Sequence, residues 1–450
     1  MAANDREADA RAAAVELALE RHAACKGKIQ VMPKCPIHGL ADFAVWYTPG
    51  VAAPCRDIQA TPERIYDHTN KGNSIAIVTD GSRVLGLGDI GPAAGLPVME
   101  GKALLFKYLG DVDAVSICLG TKDEDEIVAI TQALEPAFGA INLEDIAQPK
   151  CFHVLDRLKE TLGIPVWHDD QQGTATVVLA AVRNALQLTG RRIEATRFAL
   201  VGVGAANVAV YRLLTAAGAD PRRIVACDSQ GVLHPGRDDI HRDSDYFYDK
   251  WRICTESNGT HVTGGIAEAL KGADVCLAFS RSEAGLIRQE WVAGMAENAV
   301  VFACANPEPE IWPADARAAG ARIVATGRSD FPNQVNNSLT FPGIFRGVLD
   351  ARARQISEAM TMAAAEALAR HAEASGLSDD AIVPTMDDAS VAADVAAATA
   401  VAAQREGLSD STSSGPEFRT RALARIEGVR RATGLLMAEG LIPTPAAREG

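Results

Sequence analysis

The sequence predicts an α/β protein of two successive units, the second a Rossmann-type doubly wound parallel sheet, framed by helical termini. Three observations carry this. Short β-branched runs alternate with helix-like segments from about residue 74 to residue 325. Two adjacent carboxylate pairs, Glu144-Asp145 and Asp169-Asp170, each close a short apolar run. A strand, a glycine-rich turn, a helix and a second strand follow one another between Arg197 and Asp228.

Composition sets the frame. A chain of 450 residues is long enough for two or three cores, and 48% hydrophobic with 23% charged residues describes an ordinary water-soluble protein. The net charge of −14 gives no field for nucleic acid or an anionic membrane, so an anionic substrate must meet locally placed Lys and Arg. Nine scattered cysteines without a C-x-x-C pair predict reduced thiols and a cytoplasmic setting. The start, with Asp5, Glu7 and Asp9, does not read as a secretory signal, and no run of about 18 apolar residues predicts a membrane span. There is no internal repeat.

Residues 5–24 are strong helix formers, with Val15 and Leu19 at helical spacing. A loop marked by Pro33, Pro36 and Gly39 leads into the apolar segment 44–51, where Pro49 places Tyr47 at a turn. By position alone a tyrosine there is half-buried packing. Ser74 to Thr79 reads as a strand. Gly86, Gly88 and Gly91 match the dinucleotide spacing G-x-G-x-x-G, but Pro92, Gly95 and Pro97 follow instead of the helix the fingerprint requires, and the match is rejected. Lys102 then stands at the start of a helix entered through Gly101. Ala114 to Leu119 is a strand and Asp125 to Leu134 a helix.

The carboxylate pairs come next. With Cys151 to Leu162 as an intervening helix, strand, helix and strand return both pairs to one edge of a parallel sheet, where a divalent cation could hold them together. Thr174 to Leu188 reads as a buried helix, and Arg191-Arg192 as a boundary.

The second unit starts with the strand Arg197 to Val201 and the turn Gly202-Val-Gly204-Ala205-Ala206-Asn207. A helix at 208–217, ended by Gly218, and a strand at 223–227 ending on Asp228 complete the dinucleotide context. Here the glycines would let the backbone approach a pyrophosphate at the helix N-terminus, and Asp228 would accept from the adenosine ribose. Asn207 stands at the third glycine position, so its side chain must face the phosphate or pack against the strand. Further strands at 274–279, 299–303 and 322–325 continue the sheet. Asn306 and Asn337 follow the last two and are candidates for cofactor or substrate contacts, although turns explain such residues equally well. Residues 343–374 read as helical, 389–403 as an Ala-rich segment, about 405–418 as a mobile linker and 418–439 as a last helix. The expected division is 1–190, 191–345 and 346–450.

Six segments together resemble the shorter, bacterial type of malic enzyme: Tyr47-Thr-Pro-Gly-Val-Ala-Ala-Pro-Cys55, Thr79-Asp-Gly-Ser-Arg83 through Gly91, Glu100-Gly-Lys102-Ala-Leu-Leu-Phe-Lys107, Ile141-Asn-Leu-Glu144-Asp145-Ile146, His168-Asp169-Asp170-Gln-Gln-Gly-Thr174 and Asn333-Gln-Val-Asn-Asn337 through Phe345. The resemblance runs in order over about 25–350. It implies NAD(P)-linked oxidative decarboxylation of L-malate to pyruvate and CO2. It further implies Glu144, Asp145 and Asp170 as ligands of Mg2+ or Mn2+, and Tyr47 with Lys102 as the acid–base pair. Arg83 and Lys102 would meet malate, and Asn306 and Asn337 the substrate or nicotinamide. Gly202, Gly204, Ala205, Ala206, Asn207 and Asp228 would hold the cofactor, and Asp169 would support Lys102. Carboxylate oxygens suit a hard cation bridging a 2-hydroxy acid, which agrees with the set. A nearby cation should leave Lys102 neutral near pH 7.

Two departures stand out besides Asn207. Gln172 occupies the place of a common His, and Asp228 favours NAD while the nearby Arg222 and Arg223 keep NADP open. A homodimer or higher homo-oligomer is expected. Two other readings stay open: another metal-dependent 2-hydroxy-acid dehydrogenase, including a malolactic type, and a catalytically silent nucleotide-binding regulator.

Overall fold

The computed structural model describes residues 2–442. Its β-branched runs form two sheets. In the first, Ser74–Thr79 (β1), Asp113–Cys118 (β2), Ala140–Leu143 (β3) and Val166–His168 (β4) lie in the order β2-β1-β3-β4, all parallel. In the second, Phe198–Val201 (β5), Ile224–Asp228 (β6), Gly231–Val232 (β7), Val275–Ala278 (β8), Val300–Ala303 (β9) and Ile323–Thr326 (β10) take the order β10-β9-β8-β5-β6-β7. Only β7 runs antiparallel to its neighbour. The order reverses beside β5, which leaves a crevice at the strand C-termini where open α/β sheets take their ligands.

β1, β3, β5, β8, β9 and β10 are buried along their whole length, as parallel strands covered by helices on both faces must be. The helix Thr174–Thr189 joins the units, and its Asn184 donates to the carbonyls of Ala369 and Ile382 in the C-terminal helical region.

The C-terminal helices do not stand apart. Phe341–Ala351 lies so close to Ala389–Arg405 that a Cβ on Gly347 would come within 2.4 Å of the Ala396 carbonyl. Small residues on both helices allow that approach, which accounts for the Ala-rich segment. Arg346, 1% exposed, donates to Asn73 and Asp111 and pairs with Asp350, and Arg425 of the last helix reaches Asp111 and Asn73 as well.

Three expectations need correction. The helix around Lys102 begins at Gly91, not near residue 102, because Pro92 sits in the first turn, where its missing N–H costs nothing; Pro97 lies inside. The helical stretch 343–374 is two helices, Phe341–Ala351 and Glu358–Ser375, separated after Arg352, whose φ of 49° ends the first. The segment expected to be a mobile linker is pinned: the Leu408 carbonyl accepts from Arg354 N–H, Ser409 donates to Ala351, and Gln404 holds the carbonyls of Ser411 and Ser413. The final helix then starts at Gly415 behind a Ser414–Glu417 capping box.

The N-terminal part is of another kind. From Ala14 to Asn70 no residue is buried, although the stretch is rich in apolar side chains. Among the described residues no helix is long and apolar enough to cross a membrane, and all nine cysteines are free thiols.

Candidate active site

Register decides where the carboxylates meet. Leu143 of β3 pairs with His168 of β4, so the next residues, Glu144 and Asp169, leave adjacent strands at the same sheet edge. Asp145 turns back at φ 54°, and its N–H donates to Asp170 Oδ2 at 2.9 Å. Glu144, Asp145 and Asp170 thereby each offer an oxygen within 4.8 Å of the others. Asn142 steadies Glu144 through a 2.8 Å hydrogen bond.

Lys102 enters from the helix Gly91–Gly110 with its ammonium 2.5 Å from Asp169 and 3.0 Å from Glu144. The other Asp169 oxygen accepts from Trp167 Nε1 at 3.1 Å. Phe341 lies against the ammonium, 4.4 Å from ring centroid to Nζ. Asp169 is fully buried and paired with Lys102.

The electrostatics follow. Burial raises the Glu144 pKa well above the usual carboxylate range, with Asp170, Asp169 and Asp145 adding to it against the opposing Lys102. Burial and then Asp170 push Asp145 up to about 8. Burial works to lower the Lys102 pKa, but Asp169 and Glu144 outweigh it and hold it above the ordinary lysine range. The expectation of a neutral Lys102 is therefore not met by the chain alone, because its nearest charges are anions. His168, fully buried and 3.7 Å from Asp170, has its pKa lowered by burial, and neither ring nitrogen is hydrogen-bonded. Gln172 accepts from the His168 backbone N–H and closes the turn after β4.

A divalent cation fits this set. Asp145 Oδ2 is buried without a hydrogen-bond partner, and three crowded carboxylates need positive charge between them. The neighbouring loop is fastened to them. Asp80 accepts from Ser82 and pairs with Lys150, the Ser82 hydroxyl accepts from Ala147 N–H, and Arg83 N–H donates to the Asp145 carbonyl.

A cleft of about 830 Å3 joins this edge to the second sheet, a size suited to small molecules. Arg83, Lys102, Glu144, Asp145 and Asp170 line it from the first unit, and Gly202, Gly204, Ala205, Ala206 and Asp228 from the second; Asn306 and Asn337 line it as well. At Gly202, φ is 84° and a Cβ would lie 2.5 Å from the Phe279 carbonyl, so glycine is required there. The helix Ala205–Ala216 opens directly on the turn, presenting free N–H groups.

Three sequence expectations fall elsewhere. Asn207 does not line the cleft. It is fully buried, and its amide donates to the carbonyls of Val201, Gly202 and Leu277, so it packs against the strands and is not a cofactor contact. Tyr47 is 70% exposed on the N-terminal arm and is not among the residues of the cleft. Arg222 and Arg223 sit at the start of β6, the opposite end from Asp228.

The cations beside Asp228 are instead Arg237 and Lys250. Arg237 donates to both Asp228 oxygens, at 3.0 and 3.1 Å, and Lys250 lies 3.5 Å away. Sequence reasoning missed both, and nothing in the spacing singles them out.

Two α/β units sharing a cleft, one side carrying a dinucleotide turn and the other a carboxylate triad with a buried lysine, define a two-domain dinucleotide-binding enzyme. The comparisons narrow this. The family model described as malic enzyme, NAD binding domain, matches residues 171–404, and that described as malic enzyme, N-terminal domain, matches 26–124 and 120–159. A bifunctional malic/malolactic enzyme of Bacillus subtilis (strain 168) is 47% identical over 397 residues, 88% of this chain and 95% of that protein. An NAD-dependent malic enzyme of Geobacillus stearothermophilus is 46% identical over 383 residues, 85% and 78% of the two chains. A crystal structure of Entamoeba histolytica malic enzyme, 46% identical, superposes with a TM-score of 0.93 over 96% of this chain and 90% of that one. The chain belongs to the malic enzyme family.

Proposed function

We propose that the chain catalyses the oxidative decarboxylation of L-malate to pyruvate and CO2 with reduction of NAD(P), assisted by Mg2+ or Mn2+. One observation carries the reading: the carboxylate triad, Lys102 and Arg83 open onto the same cleft as the Gly202–Ala206 turn and Asp228. A small hydroxy acid on one side thus faces a nicotinamide on the other.

Glu144, Asp145 and Asp170 would hold the cation, with Asp145 Oδ2 as the oxygen left unpaired for it. Bound there, the cation would supply Lewis-acid polarisation and charge compensation to the reacting acid, and NAD(P) would supply the hydride acceptor. Arg83 meets a malate carboxylate. Lys102 would receive the C2 hydroxyl proton, and Asp169, 2.5 Å away, would keep its amine oriented. Asn306 and Asn337 hydrogen-bond the substrate or the nicotinamide amide. The family resemblance makes Tyr47 the acid that C3 needs after decarboxylation, although in this chain it lies outside the cleft. Asp228 faces the adenosine ribose; NAD is the favoured cofactor, with Arg237 and Lys250 leaving room for NADP. The protein works as a homodimer.

The Bacillus subtilis relative supports a second reading, in which malate is converted to lactate without net reduction of the cofactor. Assays with L-malate, Mn2+ and each of NAD and NADP, following reduced cofactor, pyruvate and lactate, separate the two. Pyruvate, CO2 and NAD(P)H in equal amounts are expected. Lactate without NAD(P)H would replace this reading with the malolactic one, and reduced cofactor without CO2 would make the chain a different hydroxy-acid dehydrogenase.

A further inference from the structure

We propose that Glu310, a carboxylate behind the cleft wall, positions the nicotinamide half of the bound dinucleotide by tying together the two strand ends on which that half lies. The proposal deepens the dinucleotide reading given above and rests on it.

Sheet order decides which half is meant. β6 ends on Asp228, where the adenosine ribose is placed, and the pyrophosphate belongs at the turn after β5. In the order β10-β9-β8-β5-β6-β7, a dinucleotide that runs from β6 to β5 continues over the ends of β8 and β9. Ser280 and Ala305 follow those two ends, and both line the cleft, as does Asn306.

Glu310 holds this pair. It is fully buried and is not among the residues of the cleft. One of its oxygens accepts from the Ser280 N–H at 2.7 Å and from the Ser280 hydroxyl at 2.9 Å, and the other accepts from the Ala305 N–H at 3.1 Å. Its carbonyl accepts from the Ile287 N–H, which fixes its own backbone. Ser280 passes the constraint to the nucleotide turn, since a Cβ on Gly202 would come within 2.9 Å of the Ser280 Cβ. Asn306, next after Ala305, packs so closely on Gly327 that a Cβ there would lie 2.5 Å from its amide nitrogen. Burial raises the Glu310 pKa, and hydrogen bonds, chiefly from the Ser280 and Ala305 N–H groups, oppose that rise. A carboxylate is costly to bury, and an apolar side chain would fill the space more cheaply. Only a pair of acceptor oxygens can bridge N–H groups that belong to separate strand ends.

Calorimetric titration tests this without turnover. Glu310→Gln keeps the length of the side chain but turns an amide N–H toward one of the donors. NADH, or NADPH if the wild type prefers it, should then bind about tenfold more weakly, while ADP-ribose or its 2′-phosphate, which lack the nicotinamide, stay within about twofold of wild type. Equal losses for both ligands would make Glu310 a support of the whole fold, and no loss for either would deny it a part in binding; each result overturns the proposal. Glu310→Asp keeps the charge but is too short to reach both strand ends, so it should give the same split, and it covers a Gln variant that folds poorly. If neither variant folds, Glu310 is structural and the proposal falls. A wild type that binds NADH without decarboxylating malate defeats the functional reading and leaves this test intact, whereas one that binds no dinucleotide defeats both.

Discussion

Lys102 and Asp169 form an ion pair 2.5 Å long in which neither side chain is more than 8% exposed. Only one Asp169 oxygen is spent on it; the other is fixed by Trp167. The lysine is thus held from behind, with its open side toward the cleft. Asp169→Asn keeps the shape and removes the charge. We expect kcat with L-malate to fall about 100-fold, with KM changed less than about threefold and NADH affinity retained. A parallel loss of NADH binding would show that Asp169 merely supports the fold.

On the proposed placement of the ribose at Asp228, Arg237, which donates to both Asp228 oxygens, would offset the charge that repels a 2′-phosphate. Arg237→Ala should weaken NADPH binding about tenfold or more, roughly 1.4 kcal/mol, while NADH binding changes less than about threefold. Titration of protein fluorescence with each nucleotide measures this without turnover. Equal losses for both would deny Arg237 any part in selection.

Asn207 is a structural staple, so its loss should be read in stability. Asn207→Ala removes two amide protons shared among three buried carbonyls, at about 1 kcal/mol each, and unfolding in urea should show a loss of about 1–3 kcal/mol. If affinity for the dinucleotide fell while stability stayed the same, the side chain would be a ligand after all.

Asp113 should contribute acid-sensitive stability. Burial alone would raise its pKa, but Lys107, with Asn73 and Lys34, holds it down to about 2 against an ordinary 3.8. The folded value lies below the unfolded one, so the contribution is present above about pH 4 and is lost as the pH falls toward 2. Because both partners are partly exposed, about 1 kcal/mol is expected. The stability gap between wild type and Asp113→Asn should shrink steadily as the pH falls from 5 through 2; a gap independent of pH would contradict the assignment.

Much of the site was legible in the sequence because its information is local. An apolar run closed by Glu144-Asp145, another closed by Asp169-Asp170 and a helix between them allow few arrangements: right-handed parallel crossovers bring both run ends to one edge. Gly202 and Gly204 between a strand and a helix announced the nucleotide turn for the same reason. That both carboxylate pairs reach one sheet edge therefore needed only short-range pattern and turn chemistry, whereas the choice of Glu144, Asp145 and Asp170 as expected metal ligands came from the family resemblance.

What the tertiary structure decided involves partners distant along the chain. Asn207 could face the phosphate or the strands, and only the approach of β8, bringing the Leu277 carbonyl, made the inward direction favourable. The cations beside Asp228 come from a loop and from a later helix, whereas the sequence neighbours Arg222 and Arg223 point away at the other strand end. Tyr47 carries a family motif, yet its place is set by where the arm lies, not by the residues around it. Periodicity and turn residues determine which elements form and where their ends lie. Packing of separate elements, where buried polar groups must find partners and apolar surface must find cover, determines which side chains finally meet.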